Sequence, residues 1–239
     1  KENRQIQNTR ILKRRNKRYH RLIMSGETIK TSAICLSIRP WSKTSHIVSW
    51  LTSRGKINSI IKGAVRPKSQ FLGQYDLNYT CSIVYYARAH GELHALRECV
   101  PENLRTPLRG DYRLLQLAEY FRYLISETAP NGPECEEWFE SLNDNLDKLC
   151  ADARDGSNPV GRLSRLLNFE LKHLELSGLL PDFSNYDYDA PWSPFSLVNG
   201  TFCNNGPHTI RISRETSEIL SKRNFNISSP RVLDAARVI

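Results

Sequence analysis

The chain has 239 residues, of which 39% are hydrophobic and 25% charged, the balance of an ordinary globular protein long enough to bury a core. It holds no run of 18 apolar residues, which excludes a hydrophobic membrane-spanning helix, and its first residues lack the apolar core of a signal peptide, so a cytoplasmic location without membrane contact is expected. The formal charge of +9 is unevenly spread: nine Lys/Arg against one Glu in residues 1–23, ten against four acids in 24–101, and fifteen against twenty in 102–239.

In chain order, residues 1–23 form a basic arm whose run Lys13-Arg14-Arg15-Asn16-Lys17-Arg18 is expected to be disordered by itself. Two readings stay open for it: a DNA-binding arm, or residues upstream of a start at Met24, the single methionine. A series of short strands follows. Apolar Ile34, Leu36 and Ile38 alternate with Ala33, Cys35 and Ser37, and Arg39-Pro40 is expected to end that strand. His46–Thr52 and Lys56–Ile61 read as the second and third strands around a Ser53-Arg54-Gly55 turn. After a loop over Lys62–Gly73, alternation from Leu77 to Tyr85 predicts a long fourth strand, and Leu93–Val100 a fifth beyond an Ala89-His90-Gly91 turn. Five short antiparallel strands in this length fit a small closed barrel of the OB type.

Past Pro107 the period becomes helical. Tyr112, Leu115, Ala118, Tyr120, Phe121, Leu124 and Ile125 make an apolar stripe, with Asp111 in the first turn. Further helices are predicted over 134–150 and 159–176, the latter closed by Ser177-Gly178. Residues 179–209 break the pattern with prolines and aromatics, forming an irregular insertion with one strand pair around Phe195–Phe202. Helices resume at Ser213–Lys222 and near Ser229-Pro230, and the pattern is still helical at Ile239. The domain plan is therefore 1–23 arm, 24–103 barrel and 104–239 helical domain.

The six cysteines (35, 81, 99, 135, 150, 203) are scattered without a C-x-x-C pair, which predicts buried free thiols rather than a cysteine zinc site. There is no nucleophile elbow and no phosphate-cradling loop, so neither catalytic residues nor a nucleotide cofactor are expected. The informative stretch is Lys62-Gly63-Ala64-Val65-Arg66-Pro67-Lys68-Ser69, which displays three cations on a glycine- and proline-framed loop. Residues 54–75 contain no Asp or Glu, as a phosphate-binding surface requires. Lys43, Arg54 and Lys56 are read as lying on neighbouring turns of the same barrel end. Trp41, Tyr85 and Tyr86 are candidate platforms for stacked bases. In the helical part Arg109, Arg113, Arg122, Arg162 and Arg165 sit among apolar residues, a pattern suited either to an acidic peptide tail or to surface ion pairs.

Arg39-Pro40, Ser45-His46-Ile47-Val48, Thr52 before Gly55-Lys56, the Lys62–Ser69 segment, Leu93 with Leu96-Arg97-Glu98, and Leu176-x-Gly178-Leu179-x-Pro181 together resemble the RecO family of bacterial recombination mediators. The resemblance covers about residues 30–185 and is most specific at Lys62–Ser69. It implies an α+β fold, an N-terminal OB-fold barrel followed by a mainly helical domain. It also implies binding of single- and double-stranded DNA, strand annealing, and help in loading RecA onto single strands coated by their binding protein. The implied partners are RecR and the acidic C-terminal tail of that coating protein, and Lys62, Arg66 and Lys68 take the DNA-contacting role. Many family members carry a four-cysteine zinc site. Here Asp182–Tyr188 lacks the first pair and only Cys203 remains of the second, with Gly206 at the fourth position, so a degenerate, cysteine-poor zinc-finger-like insertion without metal is expected, held by its aromatics. The competing reading is a general OB-fold nucleic-acid module, including one for RNA, with a helical interaction domain.

Overall fold

A computed structural model describes residues 28–87, 93–132, 135–156, 158–184, 186, 190–204, 206, 208–223 and 225. The basic arm over 1–23 with Met24, the Ala89-His90-Gly91 turn, the helix start at Glu134 and the helix near Ser229-Pro230 lie outside the described residues. Two compact units form, one from Lys1–Arg105 with Ala129–Glu140 and one from Thr106–Thr128 with Ser141–Ile239.

The first unit contains five strands: β1 (Thr28–Ser42), β2 (Ser45–Thr52), β3 (Gly55–Ile61), β4 (Thr80–Tyr86) and β5 (Leu93–Asn103). They close in the order β1-β2-β3-β5-β4, every neighbouring pair antiparallel except β3 with β5, which gives the OB-type barrel. Alternation places Ala33, Cys35, Val48, Trp50, Ile61, Cys81, Ile83, Tyr85 and Cys99 inside it. Trp50 lies fully buried because its Nε1 donates to Ser59 Oγ at 2.8 Å, satisfying the indole within the core.

Two strand expectations are corrected. β1 does not end at Arg39-Pro40 but runs on to Ser42, with Pro40 paired to His46. β1 pairs with β4 only over Thr28–Ile34, so Pro40 lies where β1 is an edge and its missing N–H costs no second ladder. The fourth strand starts at Thr80 rather than Leu77, because Asn78 is left-handed (φ 65°) and turns the chain. Arg105, buried at 3% exposure, holds that turn: its Nη1 donates to the Asn78 carbonyl at 2.6 Å and to Thr80 Oγ1 at 2.8 Å.

The second unit begins with a 3-10 turn (Thr106–Gly110) and α1 (Tyr112–Thr128), followed in the chain by α2 (Glu136–Asp155) and α3 (Pro159–Leu176). Asp111 stands one position before α1 rather than in its first turn, its Oδ1 accepting from the Arg113 and Leu114 amides as an N-cap. The buried stripe of α1 is Leu114, Ala118, Phe121 and Ile125, so Tyr112 and Tyr120 fall outside it. Phe121 stacks on Phe169 with centroids 3.9 Å apart, and Tyr120 donates to Glu170 at 2.7 Å, where burial pushes the carboxyl above its ordinary value. α3 starts at Asn158, whose Oδ1 accepts from the Gly161 amide with Pro159 just inside.

Beyond α3 the expected irregular insertion contains more order than a strand pair. β6 (Trp192–Ser196) is flanked by β7 (Thr201–Phe202) and β8 (Thr209–Ser213), and Ser213 then caps α4 (Arg214–Lys222). β8 was not expected because its partner is read only across the chain, by pairing Ile210 and Ile212 with β6. The region is held by rings: Phe183 stacks on Phe195 at 5.2 Å, while Phe202 meets Phe195 and Tyr186 edge-on. Among the described residues no group of three metal-ligating side chains occurs, and the zinc-finger likeness is not reproduced. Cys35, Cys81, Cys99, Cys135 and Cys150 are buried free thiols and Cys203 is partly exposed. Among the described residues no helix is long and apolar enough to cross a membrane.

His173 generates a pH prediction. It is buried on α3, its Nε2 lies 3.2 Å from Thr128 Oγ1, and desolvation holds the imidazole below its ordinary value. A depressed folded value means stability is fully present above about pH 6.5 and is lost as pH falls toward the folded value, since the unfolded chain takes the proton first. Urea unfolding of wild type should therefore weaken between pH 7 and 5.5 by up to about 1.4 kcal/mol per pH unit more than that of His173→Gln. Equal pH slopes would contradict it.

Candidate nucleic-acid interface

Residues 62–79 connect β3 to β4 and close one end of the barrel. A connection this long stays ordered only when its own side chains are buried, and here Ala64, Phe71 and Tyr79 enter the core cluster. Tyr75 is fixed from inside, its hydroxyl 2.7 Å from His46 Nδ1 and its ring edge-on to Trp50. The Cys81 and Cys99 thiols both donate to the Gln74 carbonyl, at 3.6 and 3.5 Å. Between these anchors the backbone makes successive tight turns, with Arg66 N donating to Gly63 O at 3.1 Å, Ser69 N to Arg66 O at 2.9 Å and Leu72 N to Ser69 O at 3.2 Å.

Burying Ala64 and Phe71 leaves Val65, Arg66, Pro67 and Lys68 exposed between them, with Lys62 exposed just before. The β1–β2 hairpin tip carries Lys43, and it is tied to the loop: Val65 N donates to Thr44 O at 3.4 Å and Gly63 N to Ser45 Oγ at 3.2 Å. Lys43, Lys62, Arg66 and Lys68 thus share one end of the barrel. Lys43, Arg66 and Lys68 form no ion pair among the described residues. Arg39, which the sequence suggested only as a strand end, is exposed on the same hairpin opposite Ile47 and adds a further cation. Its signal was a basic residue at the polar step of an alternating strand.

Arg54 and Lys56 are not at this end. Register pairs His46 with Ile61 and Thr52 with Gly55, so β3 returns the chain and the Arg54 turn lies one β2 length away, about 23 Å at roughly 3.3 Å per residue. At that other end Gly55 meets the 131–132 backbone: a Cβ there would stand 2.9 Å from Gly132 N. Of the candidate platforms, Trp41 is exposed, Tyr85 is buried, and Tyr86 lies beneath the Arg97 guanidinium at 5.9 Å.

The helical arginines also separate. Arg165 Nε and Nη2 donate to the two carboxylate oxygens of Asp152 at 2.9 and 3.0 Å, clamping α3 to α2, and that bond raises its pKa. Arg122 pairs with Glu119 on its own helix. Arg109, in the 3-10 turn, and Arg113, at the start of α1, are exposed, while Arg162 is half-buried.

A five-stranded barrel of the OB type with a cationic end, followed in the chain by a helical unit, defines the class. Residues 24–105 match the family model described as Recombination protein O N terminal. The chain is 29% identical over 160 residues to DNA repair protein RecO of Alkaliphilus metalliredigens, covering 66% of this chain and 61% of that protein. It is also 29% identical over 161 residues to DNA repair protein RecO of Syntrophobacter fumaroxidans, covering 66% and 60%. A third relative, DNA repair protein RecO of Rhodopirellula baltica, is 31% identical over 157 residues, covering 62% and 53%. Over these stretches the chain is similar to RecO proteins, most directly in its N-terminal barrel. The matched region spans about three fifths or less of the length of these relatives.

The loop geometry makes Gly63 a test. It is left-handed (φ 66°), and a Cβ there would meet Arg66 Cδ at 3.2 Å. Gly63→Ala should lower the stability measured in urea by about 1–2 kcal/mol. No loss would show that the turn presenting Arg66 does not depend on this backbone conformation.

Proposed function

We propose that this chain is a DNA-binding recombination mediator, which binds DNA through the barrel end bearing Lys43, Lys62, Arg66 and Lys68. The observation that carries the reading is the joining of the Lys43 hairpin to the Lys62–Lys68 loop, in a window without carboxylates. Cations fixed on an ordered surface neutralise phosphates and release their counterions at little cost in side-chain ordering. Neutralised strands repel one another less, which favours annealing of complementary single strands. The relatives are named DNA repair proteins, which supports a repair role for such binding. In this reading the protein helps load RecA onto single strands coated by their binding protein and works with RecR in the cytoplasm. In this reading Arg109 and Arg113, both exposed, meet the acidic tail of the coating protein. The role is one of binding, and no chemical step is assigned to it.

Two sets of substitutions test it by fluorescence anisotropy with a labelled oligonucleotide across a salt series. Lys43, Lys62, Arg66 and Lys68 changed together to Ala should weaken binding and lower the log–log salt slope by roughly 0.7 per lost contact on single strands. Arg54 and Lys56 changed to Ala, at the opposite end, should remain near wild type. Equal effects of the two sets, or no effect of the first, would overturn the assignment.

A further inference from the structure

We propose that Trp41 is a base-stacking residue that gives the cationic barrel end a preference for single-stranded over duplex nucleic acid; this rests on the function proposed above. Three observations lead to it.

Trp41 is 61% exposed, and no hydrogen bond or ring contact covers it among the described residues. The other aromatic rings of the barrel are occupied. Trp50 and Tyr79 lie in the core, Tyr75 is bonded to His46, Tyr85 is buried against His94 at 5.1 Å, and Tyr86 lies under Arg97. An indole left mostly open to water on a folded barrel presents a flat face that suits an unstacked base.

Its backbone is also fixed. β1 and β2 pair at Pro40–His46 and again at Ser42–Ser45, with an irregularity between them, so Trp41 is the extra residue of a bulge held on both sides. Bulges re-aim a side chain away from the ladder, and a platform held this way loses little entropy when a base settles on it.

The third observation is its company. Lys43 is two residues on, and Thr44 accepts the amide of Val65, next to Arg66. Trp41, Lys43, Val65, Arg66 and Lys68 therefore occupy one end of the barrel, combining an open ring with cations for the phosphates on either side. Duplex bases are already stacked on one another and offer no face to an indole, so the ring adds affinity for single strands alone, whereas the cations serve both.

The test uses the full chain, a labelled oligo-dT strand and a duplex of the same length. Trp41→Ala should weaken oligo-dT binding roughly 5- to 150-fold while leaving duplex affinity and the salt slope close to wild type. Trp41→Phe should retain most of the single-strand affinity, and oligo-dT should quench wild-type fluorescence in a fraction that Trp41→Ala lacks. The loop variant Lys62→Ala/Arg66→Ala/Lys68→Ala should weaken both ligands. Wild-type oligo-dT affinity in Trp41→Ala, or an equal loss of strand and duplex, would overturn the stacking role while leaving the cationic surface standing. Wild-type protein that binds neither ligand would overturn both.

Discussion

Closure of the barrel by residues 62–79 depends on the burial of Ala64 and Phe71 in the same core as Val48, Trp50 and Cys99. Two fixed points seven residues apart dictate what lies between them. The backbone must turn tightly and Val65, Arg66 and Lys68 must face water, while Gly63, just ahead of them, is left-handed. The cations are thereby displayed by the packing of apolar neighbours rather than by bonds of their own. An ordered cation on a rigid frame loses less entropy on meeting a phosphate than one on a floppy arm. Arg105 stabilises the far end of the same connection, where a buried guanidinium supplies the hydrogen bonds that the Asn78 turn cannot make with itself.

The same frame determines which charges cooperate. At physiological salt, exposed charges act together only within roughly 8 Å. Lys43 and the 62–68 loop are joined by backbone hydrogen bonds, whereas Arg54 and Lys56 lie a full strand away. In the helical unit, Arg165 is occupied by Asp152 and Arg122 by Glu119, so these two arginines serve the fold. The Phe183–Phe195–Phe202 cluster holds the β6–β7–β8 region together by dispersion and ring geometry.

Much of this was legible in the sequence, for local reasons. β2, β3 and α3 were readable from period and caps, since the Gly55 turn and the Asn158-Pro159 start are short-range signals. The loop was readable from Gly63, Pro67 and the missing acids. What escaped was non-local. Whether Pro40 can sit in a strand depends on which side of β1 is an edge. Whether Leu77 belongs to β4 depends on Arg105, far along the chain. Arg54 and Lys62 are neighbours in sequence yet stand at opposite ends, because β3 runs the length of the barrel between them. Arg39 gained meaning only because the strand continues past Pro40, and that continuation also sets the bulge that holds Trp41, a candidate platform from the sequence.

The central claim is that one end of the barrel, and not the other, is the nucleic-acid surface. Amide hydrogen exchange followed by mass spectrometry, with and without an oligo-dT strand, tests it most directly. The account predicts slowed exchange in peptides covering residues 39–46 and 62–72, with the 53–56 turn unchanged. Protection centred on 53–56, or none in either segment, would contradict it.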